Sequence, residues 1–231
     1  MHIRDFCSVF AKITPISCLR LSENIYISGP KGQNEAPMSQ ETTANDLART
    51  LTPRAQGVVD AATREFAAHG FAGATTDAIA RRAGVSQPYV VRLFGSKERL
   101  FLRCCLEAHE RVTETFRLAI AASGERPVSP MVLGTAYQKL IADPLTLQLV
   151  VQQNTMGQHP TVGPQVREWF MEIFRILRHE AGLPEEMARM FLARGMLIHT
   201  LLSLEFEEES ADSRALLAYL APEGQRPPTG S

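Results

Sequence analysis

Residues 75–97 read TTDAIARRAGVSQPYVVRLFGSK, and this stretch decides the fold. Ile79, Ala80 and Ala83 give one apolar side to a short helix. Thr75 or Thr76 begins that helix, and Gly84, a residue that tolerates positive φ, stops it. Ser86 opens a second helix, with Pro88 in the first turn, where a missing amide hydrogen costs little. Ser96 caps a third. Two short helices about a glycine turn are the layout of a helix-turn-helix, whose second helix enters the DNA major groove.

In that layout Val90 and Phe94 point inward, while Gln87, Pro88, Tyr89 and Arg92 point outward. Glutamine can pair both exposed edges of adenine, and proline or a tyrosine ring can touch a thymine methyl. Arg92 suits guanine or a phosphate. Thr75, Thr76, Ser96 and Lys97 stand at helix N-termini, where backbone amides and the helix dipole favour a phosphate. The expected partner is therefore double-stranded DNA.

Working outward, Thr52-Pro53 reads as an N-cap followed by proline at the first helical position. Ala55, Val59, Ala62 and Phe66 then recur at helical spacing as far as Gly70. A long helix runs from Ser96 to about residue 122, and SGERPVSP at 123–130 is a loop. Further helical patterns cover about 131–142, 144–157, 163–181, 184–206 and 212–220. No segment alternates apolar and polar residues for long, so the expected class is all-α. The chain contains no internal repeat.

Charge is uneven. Residues 50–105 hold 8 basic and 4 acidic side chains, whereas residues 106–231 hold 11 and 16. A basic segment ahead of an acidic one places nucleic acid at one end of the molecule. The four cysteines, at 7, 18, 104 and 105, have no metal-ligand or disulfide spacing. Cys104 and Cys105 are helix neighbours, so at most one is expected to face a core. The six histidines form no ligand pair, and no phosphate loop or nucleophile elbow is present. The expectation is a protein without metal, cofactor or enzymatic activity. No apolar run approaches the roughly 20 residues that span a bilayer, and the N-terminus reads as neither signal peptide nor anchor. A cytoplasmic location follows. Residues 1–49 are polar and poorly patterned: either Met38 is the natural start, or the segment is a disordered extension.

The motifs together resemble the tetracycline-repressor (TetR) family of bacterial transcriptional regulators. That family's signature stands here as Phe66, Gly70, Phe71, Ala74, Thr75, Thr76, then Ile79-Ala80 and Ala83-Gly84-Val85-Ser86. It continues as Phe94-Gly95-Ser96-Lys97 and Leu100. The match spans roughly 52–103. It implies a DNA-binding domain at 50–97 and a helical regulatory and dimerisation domain at 98–222, and the composition of GQRPPTGS leads to a disordered tail at 223–231. The match also implies a homodimer on a near-palindromic operator, acting as a repressor released by a small molecule. The opening Ser86-Gln87-Pro88 is similar to that of the founding repressor, whose matching positions meet bases. Val91 and Leu93 depart from the family pattern, which often has polar aromatics there near the phosphates.

Residues 187–206 are apolar on nearly every side, so they are buried or shared with a partner. The resemblance implies that the last two helices form the dimer interface, which assigns Met190, Arg194, Leu197, Ile198, Leu201, Leu216, Leu217 and Leu220 to it. A ligand pocket needs apolar walls with a few polar groups. Phe116, Gln152, Gln153, Met156, Trp169 and Phe174 are the candidates, and they suit a hydrophobic or amphipathic ligand. Two other functions fit the sequence. One is a ligand-independent activator or architectural protein; the other, more remote, is a small-molecule-binding helical domain with a vestigial helix-turn-helix.

Overall fold

The computed structural model describes residues 50–204 and 210–217, together with Leu47. Met38, the rest of the N-terminal extension, the run at 205–209, Leu220 and the tail lie outside the described residues. Within them the chain is helical and contains no strand. The helices are α1 (Pro53–Gly73), α2 (Thr76–Arg82), α3 (Gln87–Phe94), α4 (Lys97–Ser123) and α5 (Pro130–Ile141). They continue as α6 (Pro144–Thr155), α7 (Gly163–Arg175), α8 (Glu185–Ser203) and α9 (Ala211–Leu217). None is long and apolar enough to cross a membrane.

Caps placed in the sequence explain most boundaries. Thr52 Oγ1 accepts from Ala55 N–H at 3.3 Å, and Pro53 opens α1. Asp143 accepts from the amides of Leu145 and Thr146, both at 3.3 Å, ahead of Pro144. Such caps supply partners for amides that the helix itself cannot satisfy. Gly70 breaks α1 with φ +67°, as the sequence suggested, and the last turn to Gly73 sets off in a new direction. A side chain there would meet the Gln152 amide, with a Cβ only 3.2 Å from its Oε1.

The span expected at 163–181 is not one uniform helix. At Ile176–Glu180 it widens into a π-helical turn, closed by Ala181 N–H donating to Ile176 O at 2.9 Å. The wider turn buries Ile176 and Leu177 together, and Ala181 O then accepts from Val128 N–H at 2.9 Å. Apolar periodicity alone does not register one extra residue in a turn.

Two buried clusters result. The first joins α1, α2 and α3 to the front of α4 through Phe66, Ile79, Val90, Leu100 and Phe101. It also takes in Leu149 of α6, with Val166 and Trp169 of α7. The second gathers Val112 and Phe116 of α4 with Leu133 and Tyr137 of α5, Val150 of α6, and Ile198 of α8. Helix α4 therefore runs through both clusters.

That placement corrects the expectation for the cysteines. Cys104 and Cys105 are both 0 % exposed, because α1 covers one side of α4 and α6 and α7 cover the other. Burial pushes the Cys104 thiol up to about 12 and the Cys105 thiol well above its usual range. Alkylation with iodoacetamide followed by peptide mapping should leave both unlabelled in the native chain and label both in urea. Native labelling of either one contradicts this packing.

Candidate nucleic-acid interface and regulatory cavity

The recognition unit is built around a complete left-handed turn. Thr75, rather than Thr76, caps α2: its Oγ1 accepts from Ala78 N–H at 3.1 Å. At the other end Gly84 adopts φ +65°, Gly84 N–H donates to Arg81 O at 3.2 Å, and Val85 N–H to Ala80 O at 3.0 Å. These two bonds are the Schellman closure. A Cβ on Gly84 would meet no atom within 4 Å, so glycine is needed there for its dihedral and not for space.

Ser86 occupies the N-cap position of α3, but its hydroxyl makes no capping bond. Pro88 removes one of the two amides that such a hydroxyl could take, and the other, Tyr89 N–H, donates instead to Ser86 O at 3.0 Å. Val90 and Phe94 are buried, as expected, and pin α3 onto α1 and α4. Leu93 is half-buried against the same cluster, so it packs. Val91 stays exposed beside Gln87, Pro88 and Arg92.

Side-chain bonds stiffen the exposed surface. Gln87 Nε2 donates to Thr76 Oγ1 at 3.1 Å, linking α3 to α2. Tyr89 is half-buried, with the Arg92 guanidinium 5.7 Å and the Arg54 guanidinium 4.8 Å from its ring centroid. The sequence reading missed Arg54, although its place in the first turn after Pro53 was legible. Arg82 Nε donates to the buried Glu65 at 2.6 Å, bracing α2 on α1. Ser96 Oγ caps α4 through Arg99 N–H at 3.2 Å and remains exposed. Lys97 is turned inward: its ammonium donates to Phe71 O at 2.9 Å and Ala74 O at 3.2 Å, and lies over the Phe71 ring. In this arrangement it holds the end of α1 rather than the outer surface.

Between α4, α5, α6, α7 and α8 lies a cavity of about 50 Å³. Phe116 and Gln153 line it, as the sequence suggested. The other four candidates lie elsewhere. Gln152 packs at Gly70, Met156 and Trp169 belong to the first cluster, and Phe174 packs against the second without reaching the cavity. Trp169 stacks on His109, whose Nε2 sits 2.9 Å from Glu172.

Tyr137, Phe191 and His199 complete the walls and were not singled out in the sequence. Tyr137 Oη lies 2.5 Å from His199 Nε2, across 62 residues of sequence that no local spacing rule spans. His199 Nδ1 and Gln153 Oε1 are buried with no hydrogen-bond partner among the described residues, an arrangement that costs about 1–3 kcal/mol per group.

On α8 the expected interface residues divide. Ile198 and Leu201 are buried within the protomer, 6 % and 3 % exposed, and Ile198 packs in the second cluster. Met190 and Leu197 are exposed, as are Met187 and Leu204, and Arg194 is half-buried. On α9 Leu216 is exposed and Leu217 half-buried.

Residues 58–104 match the family model described as bacterial regulatory proteins, tetR family. No curated protein matches the sequence. Among solved structures the chain is similar to a TetR-like transcriptional regulator from Rhodococcus sp. RHA1, with 21 % identity and TM-score 0.52 over 74 % of this chain and 96 % of that one. It is also similar to the fatty acid degradation regulator FadR from Bacillus halodurans, with 16 % identity and TM-score 0.56 over 74 % and 95 %. A third is the multidrug binding protein EbrR complexed with imidazole, with 20 % identity and TM-score 0.53 over 74 % and 97 %. At these identities the likeness concerns the fold.

Burial lowers His199 from its usual 6.5 to about 4. The residue stays neutral in the fold while the unfolded chain protonates it, so its contribution is complete above pH 6.5 and fades as pH falls toward 4. At pH 4.5 the loss amounts to about 2–3 kcal/mol. His199→Gln should therefore shrink the drop in unfolding free energy between pH 7 and pH 4.5, read by urea titration with circular dichroism. An unchanged drop contradicts burial of a neutral imidazole.

Proposed function

The chain is a TetR-family DNA-binding transcriptional regulator, and we propose that it acts as a dimeric repressor released from its operator by a small apolar molecule. The observation that carries this reading is the rigid, exposed face of α3. Gln87, Pro88, Val91 and Arg92 project from a helix fixed by Val90 and Phe94 and by the Schellman turn at Gly84. Gln87 reads adenine, and Pro88, Tyr89 and the exposed Val91 meet thymine methyls. Thr75, Thr76, Ser86 and Ser96 lie along the phosphates, joined by Arg92 and Arg54. With valine at 91 and leucine at 93, the cations about Tyr89 supply the backbone attraction that polar aromatics would otherwise provide. Lys97 acts by bracing α1, and direct phosphate contact would require it to leave two carbonyl partners.

A second copy covers the exposed apolar stripe of Met187, Met190, Leu197 and Leu204 on α8, helped by Leu216 of α9. Twofold pairing presents two α3 helices to a near-palindromic site. The release mechanism follows from the two-sided helices. On α6, Leu149 packs in the DNA-side core while Val150 and Gln153 line the cavity. On α7, Val166 and Trp169 face that core while Phe170 and Ile173 line the cavity. An occupant that spreads these helices favours a dimer whose recognition helices no longer match the groove spacing. Its differential affinity for the two states moves the equilibrium.

Genomic fragments captured by the purified protein and footprinted should show a twofold-symmetric protected site. The complex should dissociate on addition of a metabolite extract from the host. Gln87→Ala should then lose about 1–3 kcal/mol, confined to one base pair per half-site. Equal weakening on all sequences contradicts the base-reading role. An operator complex that no extract releases favours a ligand-independent regulator.

A further inference from the structure

Among the described residues thirteen line the cavity, and none is Asp, Glu, Lys or Arg. Of its four polar residues, Tyr137, Gln153 and His199 are buried and Asn154 is exposed. Gln153 is 6 % and His199 8 % exposed, and each presents an atom without a partner, Oε1 and Nδ1. Most native buried polar groups have partners, so two orphans on one small space point to an occupant that supplies them.

The protonation state of the pair defines what that occupant must offer. Burial raises the Tyr137 phenol and lowers the His199 imidazole, so both are neutral near pH 7. In the tautomer in which the phenol donates to His199 Nε2, the ring hydrogen lies on Nδ1 as a donor, and we take this tautomer. Gln153 contributes an acceptor. Both residues line the same cavity of about 50 Å³, and the remaining walls are mostly apolar, including Phe116, Phe170 and Phe191.

We propose that this cavity is a site for a neutral apolar molecule bearing one hydroxyl or amide group, which donates to Gln153 and accepts from His199. This rests on the cavity being the effector site. A charged compound would find no counter-ion there, and burying it unpaired is strongly unfavourable. Size sharpens the assignment: a benzene ring fills a cavity of about 150 Å³, three times the space present. A ring-bearing occupant therefore displaces the half-exposed Met196 at the rim or spreads α6 from α8. The same tightness would make such an occupant a wedge.

The test uses the full chain and four probes of similar ring size: phenol, toluene, benzoate and benzylammonium. Dissociation constants come from ligand-observed NMR at pH 7. Phenol should bind about tenfold or more tightly than toluene, and neither ion should bind better than toluene. Gln153→Leu should collapse the phenol preference to about threefold or less while toluene binds as well as before, an outcome that general misfolding would not give. His199→Phe should act likewise. Equal binding of phenol and toluene, preference for an ion, survival of the preference in both variants, or no binding of any probe overturns the proposal. Operator affinity measured alongside reads the effector role separately. Selective phenol binding that leaves operator affinity unchanged at saturation would uphold the chemistry of the cavity and overturn its role as the effector site.

Discussion

Helix α4 cannot move without disturbing both halves of the molecule, because it is buried in two cores at once. Leu100, Phe101, Cys104, Cys105 and Ala108 lie in the cluster beneath the recognition unit, and Val112 and Phe116 lie in the regulatory cluster. Close-packed interiors respond to displaced neighbours by switching between discrete arrangements rather than by yielding smoothly. Helices α6 and α7 repeat the pattern, each with one side on the DNA-side core and the other on the cavity. In the proposed mechanism this double membership transmits occupancy to the groove, and no separate linker is needed.

The DNA-facing surface depends on the same core for its precision. Val90 and Phe94 fix the depth of α3, the glycine turn fixes its angle, and Arg82 on Glu65 fixes α2 against α1. Lys97 ties the end of α1 to the start of α4 through two backbone carbonyls. A phosphate-binding surface needs donors held in place before the duplex arrives, since ordering them afterwards subtracts from affinity. The bond from Gln87 to Thr76 serves this end by orienting the amide that is assigned to the bases.

Much of this was legible in the sequence, and the legible parts share one cause. Helix limits are set by local chemistry: threonine, serine and aspartate caps, prolines in first turns, and glycines at positive φ. Reading those residues located the described helices to within a few positions and placed Val90 and Phe94 inside. What failed to show depends on partners distant in sequence. That both cysteines are buried follows from α4 being covered on two sides, which a single-helix pattern cannot report. Ile198 turned inward because its side of α8 packs into the second cluster. The Tyr137–His199 pair and the role of Gln152 against Gly70 arise only when α5 meets α8 and α6 meets α1. Besides Phe116 and Gln153, an isolated histidine within the apolar run of α8 was a further signal for the cavity.

The claim most open to test is that the two halves form one cooperative unit. Trp169, the single tryptophan, sits in the core that joins them, so its fluorescence reports the junction. Hydrogen exchange of the α3 amides reports the recognition helix. Followed through a urea titration at fixed protein concentration, the two signals should share one midpoint. Loss of α3 protection at a distinctly lower urea concentration, with Trp169 still native, would contradict a shared core and with it the proposed route from cavity to DNA.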